Sequence, residues 1–115
     1  MKLVLMTGGA LFRDDRLLVL KRLRTRNFMP GLWEIPGGRI EEYESLEDCV
    51  VREFEEETRI KVKIDKIYNT WSQKEGDKFY VEVDFMVSPM SKIKPVKIAT
   101  EEHSEFGWIK KRDWY

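Results

Sequence analysis

The chain has 115 residues, of which 42% are hydrophobic, and this is enough for the core of one domain spanning residues 1–115. Its 21 basic and 21 acidic residues balance, so no net field attracts a polyanion such as nucleic acid, and a phosphate-bearing ligand needs a local cation. A single cysteine, Cys49, excludes an intrachain disulfide and fits a reducing cytoplasm, and the apolar run at the N-terminus is too short for a signal peptide or a membrane span.

Residues 2–12 and 17–23 are predicted to form the first two strands. Gly8 and Gly9 lie inside the first, where glycines mark a bulge or a close approach of the backbone to a ligand. The second contains the run LLVL, which lacks polar alternation, so we expect it to be covered on both faces.

A basic cluster ends the second strand and precedes a Pro30-Gly31 turn. Arg22 and Arg24 in this cluster are candidates for substrate binding, because a guanidinium group forms paired hydrogen bonds with phosphate oxygens. The alternative is that these charges are solvated at the end of a strand.

Residues 32–35 are predicted to form a short strand that Pro36, Gly37 and Gly38 interrupt. A glycine pair allows the backbone to approach a ligand closely, so Gly38 is a candidate substrate contact. Trp33 in this strand either stacks on a base or, as is commoner for tryptophan, packs in the core.

A helix is predicted to begin at Leu46, because Ser45 and Asp48 resemble a capping box. At about 100° per residue, the apolar side chains of this helix share one broad arc. Glu53, Glu56 and Glu57 fall inside or at the edge of the same arc, so we expect them to point towards the body of the protein.

Carboxylates gathered on one face repel one another and lose solvation unless a cation lies between them. Mg²⁺ takes hard oxygen ligands, commonly carboxylates together with the phosphates of a substrate. We therefore interpret this end of the helix as half of a metal–phosphate site. The alternative interpretation is a solvated acidic helix end.

The segment from Gly38 to Ile60 resembles the Nudix box, G-x5-E-x7-R-E-U-x-E-E-x-G-U, in which U is a bulky apolar residue. The matching positions are Gly38, Glu44, Arg52, Glu53, Phe54, Glu56, Glu57 and Ile60. The flanks LWEIPGG and EEHSEFGWI also resemble the family, so the likeness covers nearly the whole chain. Arg59 stands where the family has glycine, and either it adopts a positive φ at some cost or the helix ends differently.

The resemblance implies an α/β (α+β) protein with the Nudix fold, a mixed β-sheet flanked by helices. The C-terminal helix is expected to be short or absent, since the sequence stops at Tyr115, where that helix begins in the family. Either the helix is very short, or the chain is truncated, or a second subunit covers the gap, which leaves a homodimer open. Residues 61–71 and 78–90 are predicted to pair as a hairpin, 88–100 to be mainly loop, and 105–110 to form the last strand.

The resemblance also implies hydrolysis of a nucleoside diphosphate linked to another group, with Mg²⁺, or Mn²⁺ in its place, as the cofactor. The LWEIPGG flank is similar to that of MutT-type members, whose substrates are nucleoside triphosphates, oxidised ones included. The alternatives are a pyrophosphatase for ADP-ribose, for other nucleotide sugars, for dinucleotides or for capped RNA, and a nucleotide-binding module without turnover. The nucleotide is the expected partner, with no membrane involved.

Site residues follow from the same resemblance. The expected metal ligands are Gly37, through its carbonyl group, Glu53, Glu56 and Glu57. The expected catalytic residues are Glu53, as an alternative general base, Glu56, Arg52 and Glu44. Arg52 orients a glutamate, its i,i+4 partner being Glu56, and Glu44 either lies near the metal or holds the loop before the helix.

A later loop supplies a base or an extra ligand in some family members. Glu101, Glu102 and Glu105 are the candidates here, and Glu105 is included among the expected substrate contacts. His103, the only histidine, is expected to be an exposed loop residue rather than an acid or base. Four strand residues either line a pocket for the nucleotide base or are ordinary strand residues, and the sequence favours neither: Asn69, Trp71, Phe79 and Tyr80.

Overall fold

The computed structural model describes residues 1–23, 31–92, 95–99 and 102–110. Within these segments, seven strands and one helix occur in the order β1 Lys2–Arg13, β2 Arg16–Arg22, β3 Trp33–Glu34, β4 Gly37–Arg39, α1 Leu46–Thr58, β5 Val62–Glu75, β6 Lys78–Pro89 and β7 His103–Lys110. No candidate for a membrane-spanning helix occurs in these segments.

Strand β1 organises a mixed sheet. Its residues Lys2 to Leu11 pair in parallel with β6, and its middle pairs antiparallel with β4. The last two residues of β1 pair with β2 instead. β5 lies beyond β6, and β3 and β7 both pair with β2. The predicted mixed sheet is therefore confirmed.

Helix α1 packs on one face of this sheet over Gly9. A Cβ atom at Gly9 would lie 2.7 Å from Cδ2 of Phe54, so the missing side chain allows the helix to come close. Phe54 and Val50 are fully buried in a cluster that includes Leu11, and Cys49 is buried as well. The height of the helix above the sheet is thus set by a glycine on one side and a phenylalanine on the other.

Both ends of α1 follow the sequence. Ser45 caps the first turn, and its hydroxyl oxygen accepts the Asp48 N–H at 3.0 Å, as predicted. At the other end Arg59 has φ of 65°, in the left-handed region, and its N–H donates to the carbonyl oxygen of Glu55 at 2.8 Å. Two alternatives were given for the end of the helix, and the one in which Arg59 has a positive φ is confirmed.

Two further predictions on the strands are confirmed. β5 and β6 form an antiparallel hairpin, closed by Gly76 and Asp77 with Gly76 at φ of 64°. The run LLVL in β2 is completely buried, because β1, β3 and β7 pair with this strand and side chains of the core cover its faces.

Other local predictions are wrong. The predicted break after the short strand is present, since β3 ends at Glu34, but Gly37 and Gly38 then begin a new strand, β4, which was predicted as a break only. His103 is 1% exposed at the start of β7 rather than in an exposed loop. Trp33 is 43% exposed, since it lies on a two-residue strand that pairs with only one neighbour. The predicted short or absent C-terminal helix falls on residues 111–115, outside those described.

Replacing Arg59 with glycine should stabilise the fold. A residue with a Cβ atom at this φ costs about 1 kcal/mol, and glycine removes that cost. We expect the free energy of unfolding of Arg59→Gly in urea to exceed that of Arg59→Ala by about 1 kcal/mol. Arg59→Ala is the matched control, because it removes the same charge but keeps the Cβ atom. Equal stability of the two variants would show that the positive φ of residue 59 does not destabilise the fold.

Candidate active site

Two of the three glutamates at the end of α1 face the protein body. The side chain of Glu57 is 3% exposed and that of Glu53 is 16% exposed, whereas that of Glu56 is 58% exposed. At about 100° per residue, Glu56 lies roughly 120° from Val50 and so reaches solvent. The expectation of an inward direction is therefore right for Glu53 and Glu57 and wrong for Glu56.

Strand β4 brings two glycines against this acidic face. A Cβ atom at Gly37 would overlap the carbonyl oxygen of Thr7, and one at Gly38 would lie 2.6 Å from the carboxyl carbon of Glu53. The Gly37 N–H donates to Oε2 of Glu57 at 2.7 Å. The glycine pair thus lets a strand of the sheet meet two carboxyl groups with no side chain between them.

Arg52 joins the helix to the loop before it. Its Nε and Nη2 donate to the two carboxylate oxygens of Glu44 at 2.7 and 3.0 Å, the paired geometry that suits a guanidinium group. Its Nη1 donates to Oε1 of Glu53 at 2.9 Å and lies 3.3 Å from Oε2 of Glu56. Glu44 also accepts the N–H of Glu41 at 3.0 Å, which holds the loop. The nearest partner of Arg52 is therefore Glu44 and not the i,i+4 residue Glu56.

These contacts and burial shift the pKa values of neighbouring carboxyl groups in opposite directions. The hydrogen bond from Arg52 lowers the pKa of Glu44 to about 2. Burial raises the pKa of Glu57 to about 10, and the nearby charge of Glu53 adds to the effect. Burial also raises the pKa of Glu53, against the opposing hydrogen bond from Arg52. Without a bound cation, Glu57 therefore carries a proton at neutral pH.

A further group of ligand atoms adjoins Glu57. His103 Nε2 lies 2.7 Å from Oε2 of Glu34, and His103 Nδ1 lies 3.9 Å from Oε1 of Glu57. This Nδ1 has no hydrogen-bond partner in the part of the chain that the structure describes. Nη1 of Arg22 donates to Oε2 of Glu34 at 3.2 Å and fixes its position. Ligand atoms of Glu34, Glu57 and His103 all lie within 4.8 Å of one another.

The donor set fits a hard divalent cation. Glu53 and Glu57 provide carboxylate oxygens next to the backbone of Gly37 and Gly38, with little exposure to water. The buried carboxyl group of Glu57 resists ionisation, and a cation beside it would reverse that effect. Oxygen ligands of this kind are those that Mg²⁺ and Mn²⁺ prefer.

A cavity of about 540 Å³ opens beside the two glycines. Strands β1, β5 and β6 contribute Met6, Thr7, Tyr68, Asn69, Trp71, Glu82 and Asp84 to its lining. The region of β2 to β4 contributes Arg22, Leu32, Trp33, Glu34, Ile35, Gly37, Gly38 and Arg39, and the remainder are Glu53, Glu57 and Glu102. Aromatic, acidic and basic side chains thus share one cavity with the candidate metal ligands, as is typical of a site for a small polar ligand.

The predicted substrate contacts divide into three groups. Arg22 and Gly38 line the cavity. Glu105 does not, since its side chain is 60% exposed and forms an ion pair with a lysine on β2. Arg24 and Glu101 lie outside the described residues.

The residues predicted for a base pocket and for the later loop also differ in whether they line the cavity. Glu102, Asn69 and Trp71 line the cavity. Tyr80 is 5% exposed and belongs to the core, and neither it nor Phe79 is among the described residues that line the cavity.

Sequence reasoning missed the acidic residues Glu34, Glu82 and Asp84 of the site, and it set His103 aside as an exposed loop residue. Asp84 alternates with apolar residues on β6, a pattern that resembles a solvent-facing position, but its side chain is only 6% exposed. Glu34 and His103 are 69 positions apart and meet only because β3 and β7 both pair with β2. No local pattern in the sequence signals that meeting.

Comparisons with known proteins identify the family of the chain. A model of the NUDIX domain matches residues 4–114 of the chain. An ADP-ribose pyrophosphatase of Methanocaldococcus jannaschii is 33% identical over 69 residues, which is 60% of this chain and 40% of that protein. The nucleoside triphosphatase NudI of Escherichia fergusonii is 27% identical over 109 residues, which is 87% of this chain and 77% of the relative. The chain thus spans less than half the length of the first of these proteins and most of the second.

A solved structure shows the same fold. The MutT NUDIX hydrolase from Burkholderia pseudomallei superposes with a TM-score of 0.86 at 24% sequence identity, covering 100% of this chain and 88% of that one. At this level of identity the likeness concerns the fold, and it confirms the predicted class of a mixed sheet with helix.

The pair of Arg52 and Glu44 should stabilise the fold in a pH-dependent manner. Since folding lowers the pKa of Glu44 from 4.5 to about 2, the contribution is complete above pH 4.5 and is lost as the pH falls towards 2. We expect Glu44→Gln to lower the free energy of unfolding in urea by about 2 kcal/mol at pH 7. The difference from the wild type should shrink below pH 4.5. Glu47→Gln, a change at an exposed residue in the first turn of α1, is the control and should show neither effect.

Cation binding should release a proton from Glu57. Because burial keeps this carboxyl group protonated at neutral pH, an ion that binds its carboxylate form must displace about one proton. Titration calorimetry with Mn²⁺ in two buffers of different ionisation enthalpy measures that number, and the affinity should rise with pH. In Glu57→Gln the release should disappear, while Glu55→Gln should retain it. Binding of Mn²⁺ to the wild type with no proton release would contradict the assignment.

Proposed function

This chain belongs to the NUDIX domain family, and we propose that it hydrolyses a nucleoside diphosphate linked to another group, with a divalent cation as cofactor. The buried carboxyl group of Glu57, bonded to the Gly37 N–H at the side of the cavity, is the observation that carries the proposal. A carboxyl group in this position has no apolar packing role, and its cost is offset when a cation binds. Mg²⁺ is the proposed ion, with Mn²⁺ as a substitute.

We propose a nucleoside triphosphate as the substrate, oxidised forms included. The relative named a nucleoside triphosphatase aligns with 87% of this chain, whereas the one named an ADP-ribose pyrophosphatase aligns with 60%. The cavity also suits a nucleotide, because it combines aromatic side chains at Trp33 and Trp71 with the cation Arg22. A cytoplasmic location belongs to the same proposal and is supported by the single reduced cysteine.

The chemistry that the ion supplies when bound is neutralisation of phosphate charge and activation of water for attack on phosphorus. Glu57, Glu53 and Glu56 would hold the ion together with the backbone of Gly37. Glu53 is either a ligand or the base that accepts a proton from water, and its raised pKa brings it nearer to the pH at which a base is effective.

Arg52 is a positioning residue in this scheme. Its hydrogen bond of 2.9 Å to Glu53 holds that carboxylate, while its paired bonds to Glu44 fix the guanidinium group itself. Arg22 of β2 also lines the cavity and is proposed to bind a phosphate group of the substrate.

A substrate panel with Mg²⁺ tests the proposal. We expect nucleoside triphosphates, with 8-oxo-dGTP among them, to yield a monophosphate and pyrophosphate. ADP-ribose and dinucleoside polyphosphates should be poorer substrates. A preference for ADP-ribose would overturn the MutT-type assignment and leave the family intact, and binding of nucleotides with no turnover would indicate a binding module.

A matched pair of variants tests the role of the helix. Glu57→Gln should reduce kcat/KM at least about a hundredfold, since the amide cannot supply the charge that holds the cation. Glu55→Gln alters a side chain of the same helix that is 43% exposed and points elsewhere, and it should change kcat/KM less than about twofold. Circular dichroism of both variants checks the fold. Full turnover by Glu57→Gln would contradict the proposal that Glu57 holds the cation.

A further inference from the structure

A buried ring nitrogen of His103 has no role in the proposed hydrolysis. His103 is 1% exposed at the start of β7, and its Nδ1 atom has no hydrogen-bond partner among the described residues. A buried polar atom without a partner is costly to the fold, so a ligand that binds this atom is a reason for its presence. His103 is also the only histidine of the sequence.

The other ring nitrogen indicates which tautomer is present. His103 Nε2 lies 2.7 Å from Oε2 of Glu34. A carboxylate oxygen accepts hydrogen bonds, so Nε2 is the donor, and Nδ1 of the neutral ring then carries the free lone pair. Histidines that bind metal ions have this arrangement, in which one ring N–H donates to a carboxylate and the other nitrogen faces the ion.

Glu34 is placed to position the ring rather than to bind an ion. Nη1 of Arg22 donates to both carboxylate oxygens of Glu34, to Oε1 at 3.3 Å and to Oε2 at 3.2 Å. Oε2 therefore accepts N–H groups from two side chains, and Arg22 balances the charge of Glu34. Because β3 and β7 both pair with β2, the sheet holds Glu34 against the imidazole ring.

The free nitrogen of His103 faces a buried carboxyl group. Oε1 of Glu57 lies 3.9 Å from His103 Nδ1, and the two side chains are 3% and 1% exposed, respectively. This distance is too long for a hydrogen bond, so the two atoms do not satisfy each other. Two ligand atoms that are each roughly 2.1 Å from one Zn²⁺ lie about 3.4 Å apart at a tetrahedral angle and further apart at a wider angle. The observed separation therefore suits two ligands of one ion.

The two oxygens of Glu57 have different neighbours. Oε2 accepts the Gly37 N–H at 2.7 Å, whereas Oε1 faces His103. One carboxylate can bind a separate ion through each oxygen, as in enzymes whose two ions lie about 4 Å apart. Glu34 and Glu57 both line the cavity, which gives an ion a route to the ring nitrogen.

A nitrogen ligand changes the ion that is favoured. Mg²⁺ prefers sites made of oxygen atoms, whereas imidazole suits Zn²⁺ and other first-row transition ions. An ion bound to His103 therefore differs in kind from the Mg²⁺ proposed for the glutamates of α1.

We propose that His103 Nδ1 and Glu57 Oε1 form a second cation site, which binds Zn²⁺ or a related transition ion, with Glu34 positioning the ring. Water or phosphate oxygens from the cavity complete the coordination. The site goes beyond the proposed hydrolysis and does not require turnover, since only the Mg²⁺ on the other side of Glu57 belongs to that function.

Nitrogen-15 NMR of the imidazole ring tests the site, because a single histidine gives a single pair of ring signals. In the metal-free protein at mildly alkaline pH, we expect Nε2 to be protonated and Nδ1 to be unprotonated. With excess Mg²⁺ present to occupy the oxygen ligands, added Zn²⁺ should shift the Nδ1 signal, whereas Mg²⁺ alone should leave it near its metal-free position. A proton on Nδ1 in the metal-free protein, or an Nδ1 signal that Zn²⁺ does not shift, would overturn the proposal.

Variants of the ring and of its partner separate metal binding from folding. In His103→Gln the amide N–H can still donate to Glu34, but no nitrogen lone pair remains at the position of Nδ1. Calorimetry should show Zn²⁺ affinity at least about a hundredfold below that of the wild type, and Mg²⁺ affinity changed less than about threefold. Glu34→Gln should lower Zn²⁺ affinity about tenfold, because the ring loses the carboxylate that positions it.

Glu55→Gln is the control, since this side chain is 43% exposed on the same helix, and it should keep both affinities. Unchanged Zn²⁺ affinity in His103→Gln would refute the ligand role of His103. An equal loss of Zn²⁺ and Mg²⁺ affinity would show that His103 only supports the fold, and would refute that role as well.

The outcomes also distinguish this proposal from that of hydrolysis. If Zn²⁺ shifts the Nδ1 signal and the substrate panel shows no turnover, the second cation site stands and the hydrolase function fails. If the panel shows Mg²⁺-dependent turnover and Zn²⁺ leaves the Nδ1 signal unchanged, the hydrolase function stands and the second site fails.

Discussion

The hydrogen bond from the Gly37 N–H to the buried carboxyl group of Glu57 is the contact on which the candidate site depends. It joins the end of α1 to β4, which pairs with β1. A side chain at position 37 would overlap the carbonyl oxygen of Thr7 and push β4 away from β1, and one at position 38 would meet the carboxyl group of Glu53 on the helix. The cavity and the acidic face of α1 both take their positions from this junction.

An acidic cluster can fold here because one guanidinium group serves several carboxylates. Arg52 lies within 3.5 Å of oxygens of Glu41, Glu44, Glu53 and Glu56. Glu57 lies on the buried face of the helix, and burial favours its protonated form. The fold thus tolerates four acids through charge pairing and a fifth through protonation.

The sequence predicts what local patterns encode. The helix, its capping by Ser45 and the β5–β6 hairpin are set by residues close together in the chain, and each is confirmed. The inward direction of Glu57 followed from helical spacing, and the same spacing placed Glu56 too far inward because it lies at the edge of the arc. The catalytic and metal-binding roles of these residues stay predictions.

What the sequence could not predict depends on long-range pairing. Glu34 and His103 come together only through the strands that flank β2. Asp84 is 6% exposed although it alternates with apolar residues along β6, because strand alternation distinguishes two faces but does not show which of them the rest of the chain covers. The predicted contact by Arg24 lies outside the described residues, so its placement rests on the sequence alone.

The parallel pairing of β1 with β6 has a consequence for the order of assembly. Lys2 pairs with Lys78, so the chain between them must close a long loop before this ladder can form, whereas α1 and the β5–β6 hairpin require only nearby residues. Gly8 pairs with Asp84 on β6 and with Gly37 on β4, so the alignment of these three strands depends on that long-range closure. The cavity is lined from all three strands, and neither α1 nor the β5–β6 hairpin can form it alone.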